Sequence, residues 1–246
     1  MTGASAGLGE EFAWQLATAR HDLVVVARSR DRLSELAEVV TSATGVAVEV
    51  LVADLSTPDG REAVADRLSD AEQPVSLLVN NAGFGLGKSF TESTWDEEQV
   101  MLDVLVTAPA RLTHAVLPGM IERGHGAVLN VSSIAAHLAN STYAAHKRWV
   151  LDFTEALAAQ LRGTGVTATA VLPGLTRTQF HDGPDLNHYR HEFPDAAWLD
   201  AEQVVTSALA AARRGTVVVT PSVRYAAAGT LARLTPKALT RRMGSA

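Results

Sequence analysis

The sequence has no cysteine, few aromatic residues and no acidic residue after Glu202. Without cysteine the chain cannot form a disulfide framework or use a thiol nucleophile, and the composition fits a reducing compartment. It also lacks any uninterrupted apolar run near the roughly 18 residues of a membrane span, and Glu10 and Glu11 stand where a signal core would lie. We therefore expect a soluble, cytoplasmic protein.

Charge is spread unevenly along the 246 residues. The net charge is −6, so we expect no general attraction to nucleic acid. The residues after Glu202 carry only basic charges, at Arg213, Arg214, Arg224, Arg233, Lys237, Arg241 and Arg242. The basic tail, about 222–246, is either a solvated surface or a contact for an anionic membrane or partner subunit. Pro236 interrupts any long amphipathic helix there, so we expect no membrane contact.

Short β-rich runs alternate with helical stretches, as in one compact domain. Runs apolar on both faces predict strands at 23–27, 46–53, 75–80, 126–132, 166–172 and 216–220. The intervening stretches predict helices at 30–40, 58–68, 95–120, 142–161 and 201–213. Strands that are apolar on both faces and separated by helices indicate an α/β fold with a doubly wound, Rossmann-like parallel sheet. The irregular stretch 179–199 reads as a substrate loop, and we treat 1–246 as a single domain.

A glycine-rich loop opens the chain. Gly3, Gly7 and Gly9 have the spacing of a loop whose backbone N–H groups, with the helix that follows, meet a dinucleotide pyrophosphate. Such a loop follows the first strand of a Rossmann-like sheet, and only Met1 precedes Thr2 here. We therefore expect the first strand to be missing from this N-terminus, and the protein to begin upstream of Thr2.

The end of the run at 23–27 bears on which cofactor binds. NAD-specific proteins place an acidic residue there for the ribose 2′-hydroxyl, whereas this chain has Arg28. A guanidinium at that position suits a 2′-phosphate, with Ser29 or Arg30 assisting. The alternative is that Arg28 is only a solvated cation at a strand end. The pattern favours NADP(H) over NAD(H).

Three polar residues predict the chemical centre. Tyr143 and Lys147 are four apart on a predicted helix, so both can face one pocket. An ammonium close to a tyrosine stabilises the phenolate, and this suits proton exchange with a carbonyl oxygen. Ser133 follows the run at 126–132 and can hold that oxygen through its hydroxyl.

Taken in order, these motifs resemble the short-chain dehydrogenase/reductase family of single-domain, NAD(P)-dependent enzymes. The likeness extends from residue 2 to about residue 220. It rests on the glycine loop 2–9, Asp54-Leu55, Asn80-Asn81-Ala82-Gly83, Asn130-Val131-Ser132-Ser133, Tyr143-x-x-x-Lys147, and Pro173-Gly174 with Thr178.

The resemblance implies roles for individual residues. Ser133 would be the hydroxyl donor, Tyr143 the acid/base and Lys147 the group that binds the nicotinamide ribose. Asp54 and Leu55 would border the adenine, Asn80–Gly83 would back the cofactor, and Pro173–Thr178 would position the carboxamide. The implied cofactor-binding set is Gly3, Ser5, Gly7, Leu8, Gly9, Arg28, Asp54, Leu55, Asn81, Ala82, Gly83, Tyr143, Lys147, Pro173, Gly174, Thr176 and Thr178. The family also implies a homodimer or homotetramer that pairs the helices at 95–120 and 142–161.

The chain departs from the family pattern at three places. Leu105 stands where the family has a catalytic asparagine, and leucine can neither donate nor accept a hydrogen bond. Ser133 comes ten residues before Tyr143, which shortens the loop between them and predicts a wider pocket mouth. His146 replaces a small residue before the lysine. The first departure leaves two interpretations open, an active enzyme with another proton route, or a weak or inactive NADP(H)-binding sensor.

Two other motifs carry less weight. Residues 82–89 approach a phosphate-binding P-loop, but Ala82 replaces a required glycine and no helix follows at once. His181, His188 and His191 lie close in sequence but lack the partners of a typical metal site, so we expect no metal. The sequence therefore predicts an NADP(H)-dependent oxidoreductase that interconverts a carbonyl and an alcohol on a moderately apolar small molecule.

Overall fold

The computed structural model describes residues 1–138, 140–181 and 192–234, in which parallel strands are covered by helices. The strands are β1 Leu23–Ala27, β2 Val48–Val52, β3 Leu77–Asn80, β4 Gly126–Val131, β5 Val166–Val171 and β6 Val218–Val219. β1 pairs with β2, and the second sheet has the order β3-β4-β5-β6, with every ladder parallel. All six predicted strands are present, most of them one to three residues shorter than expected.

The helices occupy the connections between the strands. They are α1 Gly7–Thr18, α2 Arg30–Thr44, α3 Pro58–Leu68, α4 Trp95–Leu102, α5 Ala108–Arg123, α6 Thr142–Gln160, α7 Ala201–Arg213 and α8 Val223–Leu234. A π-helical turn, Asp103–Thr107, joins α4 to α5, and 3₁₀ turns lie at Ile134–His137, Gln179–His181 and Asp195–Ala197. Part of the predicted basic tail is therefore helix α8, and the rest of the tail lies outside the described residues.

Helices cover both faces of the sheet, as a doubly wound fold requires. On one face Phe12 of α1, Leu33 of α2 and Val205 of α7 pack together at zero exposure. On the other face Val64 of α3 and Leu112 of α5 belong to a second cluster. These two apolar layers confirm the α/β fold and hold the carboxyl ends of the strands at one common edge.

A gap separates the two sheets at the place where a Rossmann-like sheet has the strand that precedes its glycine loop. Thr2 forms an isolated parallel bridge with Val26, its N–H donates to the Val79 carbonyl at 3.0 Å, and the Met1 carbonyl accepts from Val26 at 2.9 Å. A cavity of about 480 Å³ lies between the facing edges of β1 and β3. Burial and the charge of Arg67 lower the pKa of the Met1 amino group to about 5. Within the described residues, Met1 and Thr2 thus span the space between the sheets.

The helical stretch Trp95–Arg123 contains an 18-residue window that is long and apolar enough to cross a membrane. This differs from the expectation that no segment approaches that length, because the polar residues are dispersed along the stretch. Half of its most apolar window is buried inside the protein. Ala108, Leu112 and Met120 pack in the cluster on one face of the sheet, so the stretch is a core helix of the domain.

Candidate active site

One cleft brings together almost every residue that the sequence singled out. It has a volume of about 2200 Å³ and extends along the carboxyl ends of the strands, from Arg28 to Tyr143. Its lining includes Gly3, Ser5, Gly7, Leu8, Arg28, Asp54, Leu55, Asn81, Ala82, Gly83, Ser133, Tyr143, Lys147, Pro173, Gly174, Thr176 and Thr178. Gly9 is the exception, because it is buried behind the loop.

The glycine loop owes its shape to backbone conformation and to close contacts. Gly3 and Gly7 have φ values of +66° and +58°, which favour glycine. A Cβ added at Gly9 would collide with the Gly3 carbonyl, so this glycine allows α1 to approach the loop. The Asn81 side chain donates to the carbonyls of Thr2 and Gly3 at 3.0 and 3.2 Å. The loop therefore presents the N-terminus of α1 to the cleft in a fixed position.

The end of the cleft beside β1 and β2, where the resemblance places the adenine, carries charge at two strand ends. Arg28 follows β1, and Asp54 follows β2. Partial burial opposes ionisation of Asp54, but hydrogen bonds from the Ser56 N–H and hydroxyl outweigh it and, with the charge of Arg28, lower the pKa of Asp54. Ser29 caps α2 by accepting from the Arg32 N–H at 3.5 Å. Arg28, Ser29 and Arg32 line the cleft, whereas Arg30 is not among its lining residues.

Tyr143 and Lys147 face the cleft from the first turns of α6, as their spacing predicts. Lys147 is 4% exposed, its ammonium donates to the Val131 carbonyl at 2.8 Å, and it lies 5.7 Å from the centre of the Tyr143 ring. Burial lowers the pKa of Lys147 to about 8. The Ser132 hydroxyl donates to the Lys147 carbonyl at 2.7 Å, which fixes α6 against the end of β4. The lysine therefore has a defined position next to the tyrosine.

Ser133 lies at the end of β4 and caps the 3₁₀ turn Ile134–His137. Its hydroxyl oxygen accepts from the Ala135 N–H at 3.1 Å, so its proton stays available to another acceptor. Ser133 and Tyr143 line the same cleft, although the segment between them is short. The turn folds the first four residues of this segment compactly against the strand end.

Leu105 is buried at the centre of the π-helical turn, with 1% exposure. Pro109 has no N–H, so it cannot donate to the carbonyl four residues earlier, which is that of Leu105, and the helix widens there. The surroundings of Gly83 show where the Leu105 side chain lies. A Cβ added to this glycine would lie 2.9 Å from Leu105 Cδ2 and 3.4 Å from Lys147 Nζ. The Leu105 side chain and the Lys147 ammonium therefore both approach Gly83, and the leucine occupies the position at which the resemblance implies an asparagine.

The far wall of the cleft combines predicted and unpredicted residues. Thr178 is close to Gly7, since a Cβ added there would lie 3.0 Å from Thr178 Cβ. Thr176 is 4% exposed and donates to the Gly174 carbonyl at 3.0 Å. Tyr225 of α8 donates to the Ala197 carbonyl at 2.8 Å and accepts from the Leu175 N–H at 3.2 Å. It thus braces the segment that carries Pro173 to Thr178.

Sequence reasoning missed Arg32 and Tyr225. Arg32 could have been found from the sequence, because it lies in the first turn of α2. This turn follows directly after the end of β1, so Arg32 is close to Arg28. Tyr225 gave no local signal, since only the folded chain brings α8 to the strand ends.

The remaining sequence motifs do not form competing sites among the described residues. Residues 82–89 are irregular, and the next helix begins only at Trp95, so the P-loop interpretation fails. No group of three or more metal-ligating side chains occurs within 1–138, 140–181 and 192–234. His188 and His191 lie outside the described residues.

Comparison with known proteins agrees with this geometry. Residues 1–185 match the short chain dehydrogenase family model. Sulfoacetaldehyde reductase 2 of Chromohalobacter salexigens is 36% identical over 212 residues, which covers 83% of each chain.

Solved structures extend the likeness to the whole chain. A short-chain dehydrogenase from Sphingobium yanoikuyae in complex with NADPH has 32% identity and a TM-score of 0.87, with 100% of this chain and 94% of that chain covered. The bulky-bulky ketone specific alcohol dehydrogenase from Comamonas testosteroni has 28% identity and a TM-score of 0.83, with coverages of 100% and 93%. The chain therefore belongs to the short-chain dehydrogenase family of NAD(P)-dependent oxidoreductases.

Proposed function

We propose that the protein is an NADP(H)-dependent oxidoreductase that interconverts a carbonyl and an alcohol on a moderately apolar small molecule. One observation carries the proposal. The buried Lys147 ammonium lies 5.7 Å from the Tyr143 ring in a cleft that also contains Ser133 and continues without interruption to Arg28.

The residues present suit a dinucleotide cofactor. The positive φ values of Gly3 and Gly7 and the close approach at Gly9 leave a cradle that side chains would fill. Arg28, Ser29 and Arg32 provide two guanidinium groups and a hydroxyl for a 2′-phosphate, which supports NADP(H) over NAD(H). When bound, the cofactor donates hydride to a carbonyl carbon or accepts it from an alcohol.

The side chains at the other end handle the proton. Ser133 donates a hydrogen bond to the substrate oxygen and holds it against Tyr143. Tyr143 gives its phenolic proton to that oxygen in reduction and takes it back in oxidation. Lys147 stabilises the resulting phenolate by its charge and orients the ribose of the cofactor.

The substrate end of the cleft has an apolar character. Aromatic and aliphatic side chains line it at Phe84, Leu86, Ile134, Leu138, Phe180 and Phe193. The Phe180 ring lies 6.0 Å from that of Tyr143. Charged residues at this end form ion pairs, Lys88 with Glu97 and Arg148 with Asp152. This lining favours a neutral ketone or aldehyde over a substrate that carries a sulfonate. In this respect the protein would be more like the ketone-specific alcohol dehydrogenase than the sulfoacetaldehyde reductase.

The assembly that we propose is a homodimer or a homotetramer built on α4, α5 and α6. Trp149 and Phe153 stack with ring centres 4.8 Å apart, and Trp149 is 37% exposed. Trp95 at the start of α4 is 68% exposed. Aromatic residues at this exposure are typical anchors of subunit interfaces. Sedimentation of the chain and of Trp149→Ala tests this, because the variant should shift towards the monomer.

A fluorescence titration followed by an activity assay tests the function. We expect NADPH to bind more tightly than NADH, and its oxidation to be faster with acetophenone, cyclohexanone or hexanal than with sulfoacetaldehyde. Leu105 favours a second candidate, a sensor that binds NADPH without turnover. Binding without oxidation by any of these carbonyls, together with a Tyr143→Phe variant that behaves like the parent, would establish the sensor and refute the oxidoreductase.

A further inference from the structure

Glu98 of α4 is a buried carboxylate that the proposed proton chemistry does not use. It is 6% exposed, although its helix begins at the protein surface. One oxygen, Oε1, accepts from the Ser93 hydroxyl at 2.7 Å and from the Thr142 hydroxyl at 3.2 Å. A buried carboxylate is costly unless it is hydrogen-bonded, so these two bonds define its place.

The two donors belong to two different segments at the substrate end, the loop 83–94 and the start of α6. Ser93 closes the loop 83–94, whose residues Gly85 to Phe90 line the cleft. This loop is itself braced, because the Ser89 hydroxyl donates to Glu92 at 2.6 Å and Thr94 forms a capping box with Glu97. Thr142 is the first residue of α6 and directly precedes Tyr143. Glu98 therefore links the loop 83–94 to the start of the helix that carries the tyrosine.

His146 lies on the same face of α6 as Thr142, one turn later, and it also interacts with Glu98. Burial lowers the pKa of His146, the Glu98 carboxylate acts against this shift, and the Lys147 charge adds to it. The Thr142 hydroxyl thus reaches Glu98 of α4, although Thr142 also lines the cleft, whereas His146 is not among the lining residues. Glu98 therefore interacts with two residues of α6, Thr142 and His146, that flank the catalytic Tyr143.

We infer that Glu98 is a positioning residue, which sets the pose of Tyr143 by holding Thr142 and the loop 83–94 through one carboxylate oxygen. This inference rests on the proposed oxidoreductase function. Hydrogen bonds to a carboxylate are short and directional, so they restrict the first turn of α6 more than apolar packing would. Small displacements of an acid/base group lower the rate strongly without weakening cofactor binding.

Four variants separate this role from a merely structural one. Glu98→Met removes the oxygen that accepts both bonds and keeps a similar size. Thr142→Val removes one donor at the same shape, and Glu98→Gln keeps an oxygen that accepts both bonds. Glu62→Gln, which breaks an exposed ion pair with Arg111, is the control. We expect Glu98→Met and Thr142→Val to lower kcat about tenfold with the NADPH Kd within about twofold, and Glu98→Gln to keep more than about half of the parent kcat.

The carbonyl in this assay is whichever of acetophenone, cyclohexanone and hexanal the parent reduces fastest. A parent-like kcat in Glu98→Met and Thr142→Val would overturn the inference, and so would a Glu98→Gln variant as slow as Glu98→Met. Hydrogen exchange of the segment 140–148 in the NADPH complex gives a readout that needs no turnover. If the parent reduces no carbonyl, the proposed function fails, but faster exchange in Glu98→Met that Glu98→Gln restores would still support the anchor, and unchanged exchange would refute it.

Discussion

The two ends of the cofactor cleft hold their charged groups in opposite ways. At the adenine end Arg28 and Arg32 are exposed side chains at a strand end and a helix start. At the nicotinamide end Lys147 is 4% exposed and donates to a backbone carbonyl, and Leu105 beside it is 1% exposed. The first end lies in solvent, and the second is part of the protein interior.

This difference teaches what each end can tolerate. Exposed charges are screened by salt and contact little else, so replacing them changes cofactor choice and leaves the fold intact. A buried ammonium has lost its hydration and depends on each neighbour, so substitutions there alter packing, protonation and chemistry together. We expect variants at the nicotinamide end to affect turnover, and variants at the adenine end to affect binding.

Tyr143→Phe should have the largest effect. It removes the phenolic proton and keeps the ring that faces Phe180, so we expect kcat to fall by about 10²- to 10⁴-fold with the NADPH Kd within about twofold of the parent. Steady-state rates and fluorescence titration measure the two quantities. An equal loss of binding would mean that the hydroxyl also holds the cofactor, and the proposed division between the two ends would be wrong.

Arg28→Ala should act on binding alone. A guanidinium bonded to phosphate contributes about 1.5–3 kcal/mol, so we expect NADPH to bind about 10- to 100-fold more weakly while the NADH Kd stays the same. The loss should shrink as salt is raised, because the exposed charge is screened. Arg30→Ala is a matched control, since Arg30 neighbours Arg28 but is not among the cleft-lining residues. Equal losses for NADPH and NADH would contradict a 2′-phosphate contact.

Titration of Lys147 should separate binding from stability. Its pKa is lowered to about 8 from 10.5, so the folded apoprotein loses this proton as pH rises through about 8. If cofactor binding requires the ammonium, NADPH affinity should fall about tenfold from about pH 7 to about pH 9.

The effect of the same group on stability has the opposite sign. Between about pH 8 and 10.5 the unfolded lysine keeps its proton and the folded one does not, so the contribution of Lys147 to stability rises with pH in that window. Below about pH 8 both states are charged and the contribution is constant. Lys147→Met should lack both trends in fluorescence titration and in denaturant unfolding. Parent trends that persist in this variant would assign them to another group.

Much of the fold and of the site could be predicted from the sequence. The strands were readable because a parallel sheet covered on both faces needs continuous apolar runs, as in Leu23–Ala27 and Gly126–Val131. The placement of Ser133, Tyr143 and Lys147 in one cleft followed from a strand end and a helical spacing of four. Local periodicity sufficed for these residues, and the family resemblance assigned their roles.

The remaining features depend on contacts between distant segments. In the sequence, Glu98 is one of several acidic residues in the first turn of a helix. Only the fold brings it to Thr142, 44 residues later. Tyr225 reaches the cleft for the same reason. The π-helical turn was predictable in principle, because Pro109 in a long helix denies the Leu105 carbonyl its donor, but the stretch 95–120 was treated as one regular helix.

Leu105→Asn should have the smallest effect, and it tests how closely the nicotinamide end depends on its packing. The leucine side chain lies across Gly83 from the Lys147 ammonium, so an amide there could hold a water and relay protons towards the lysine. A buried amide without full hydrogen bonding costs about 1–3 kcal/mol, so we also expect a lower thermal midpoint.

The change in turnover and the change in stability are separated by a control variant and by a normalisation. For the folded protein we expect kcat to rise by about two- to fivefold in Leu105→Asn, whereas Leu105→Met, which keeps an apolar side chain of similar volume, should leave kcat unchanged. The rate should be normalised to NADPH-binding sites, so that lost folding is not mistaken for lost chemistry. Unchanged turnover with unchanged folding would refute a relay through this side chain.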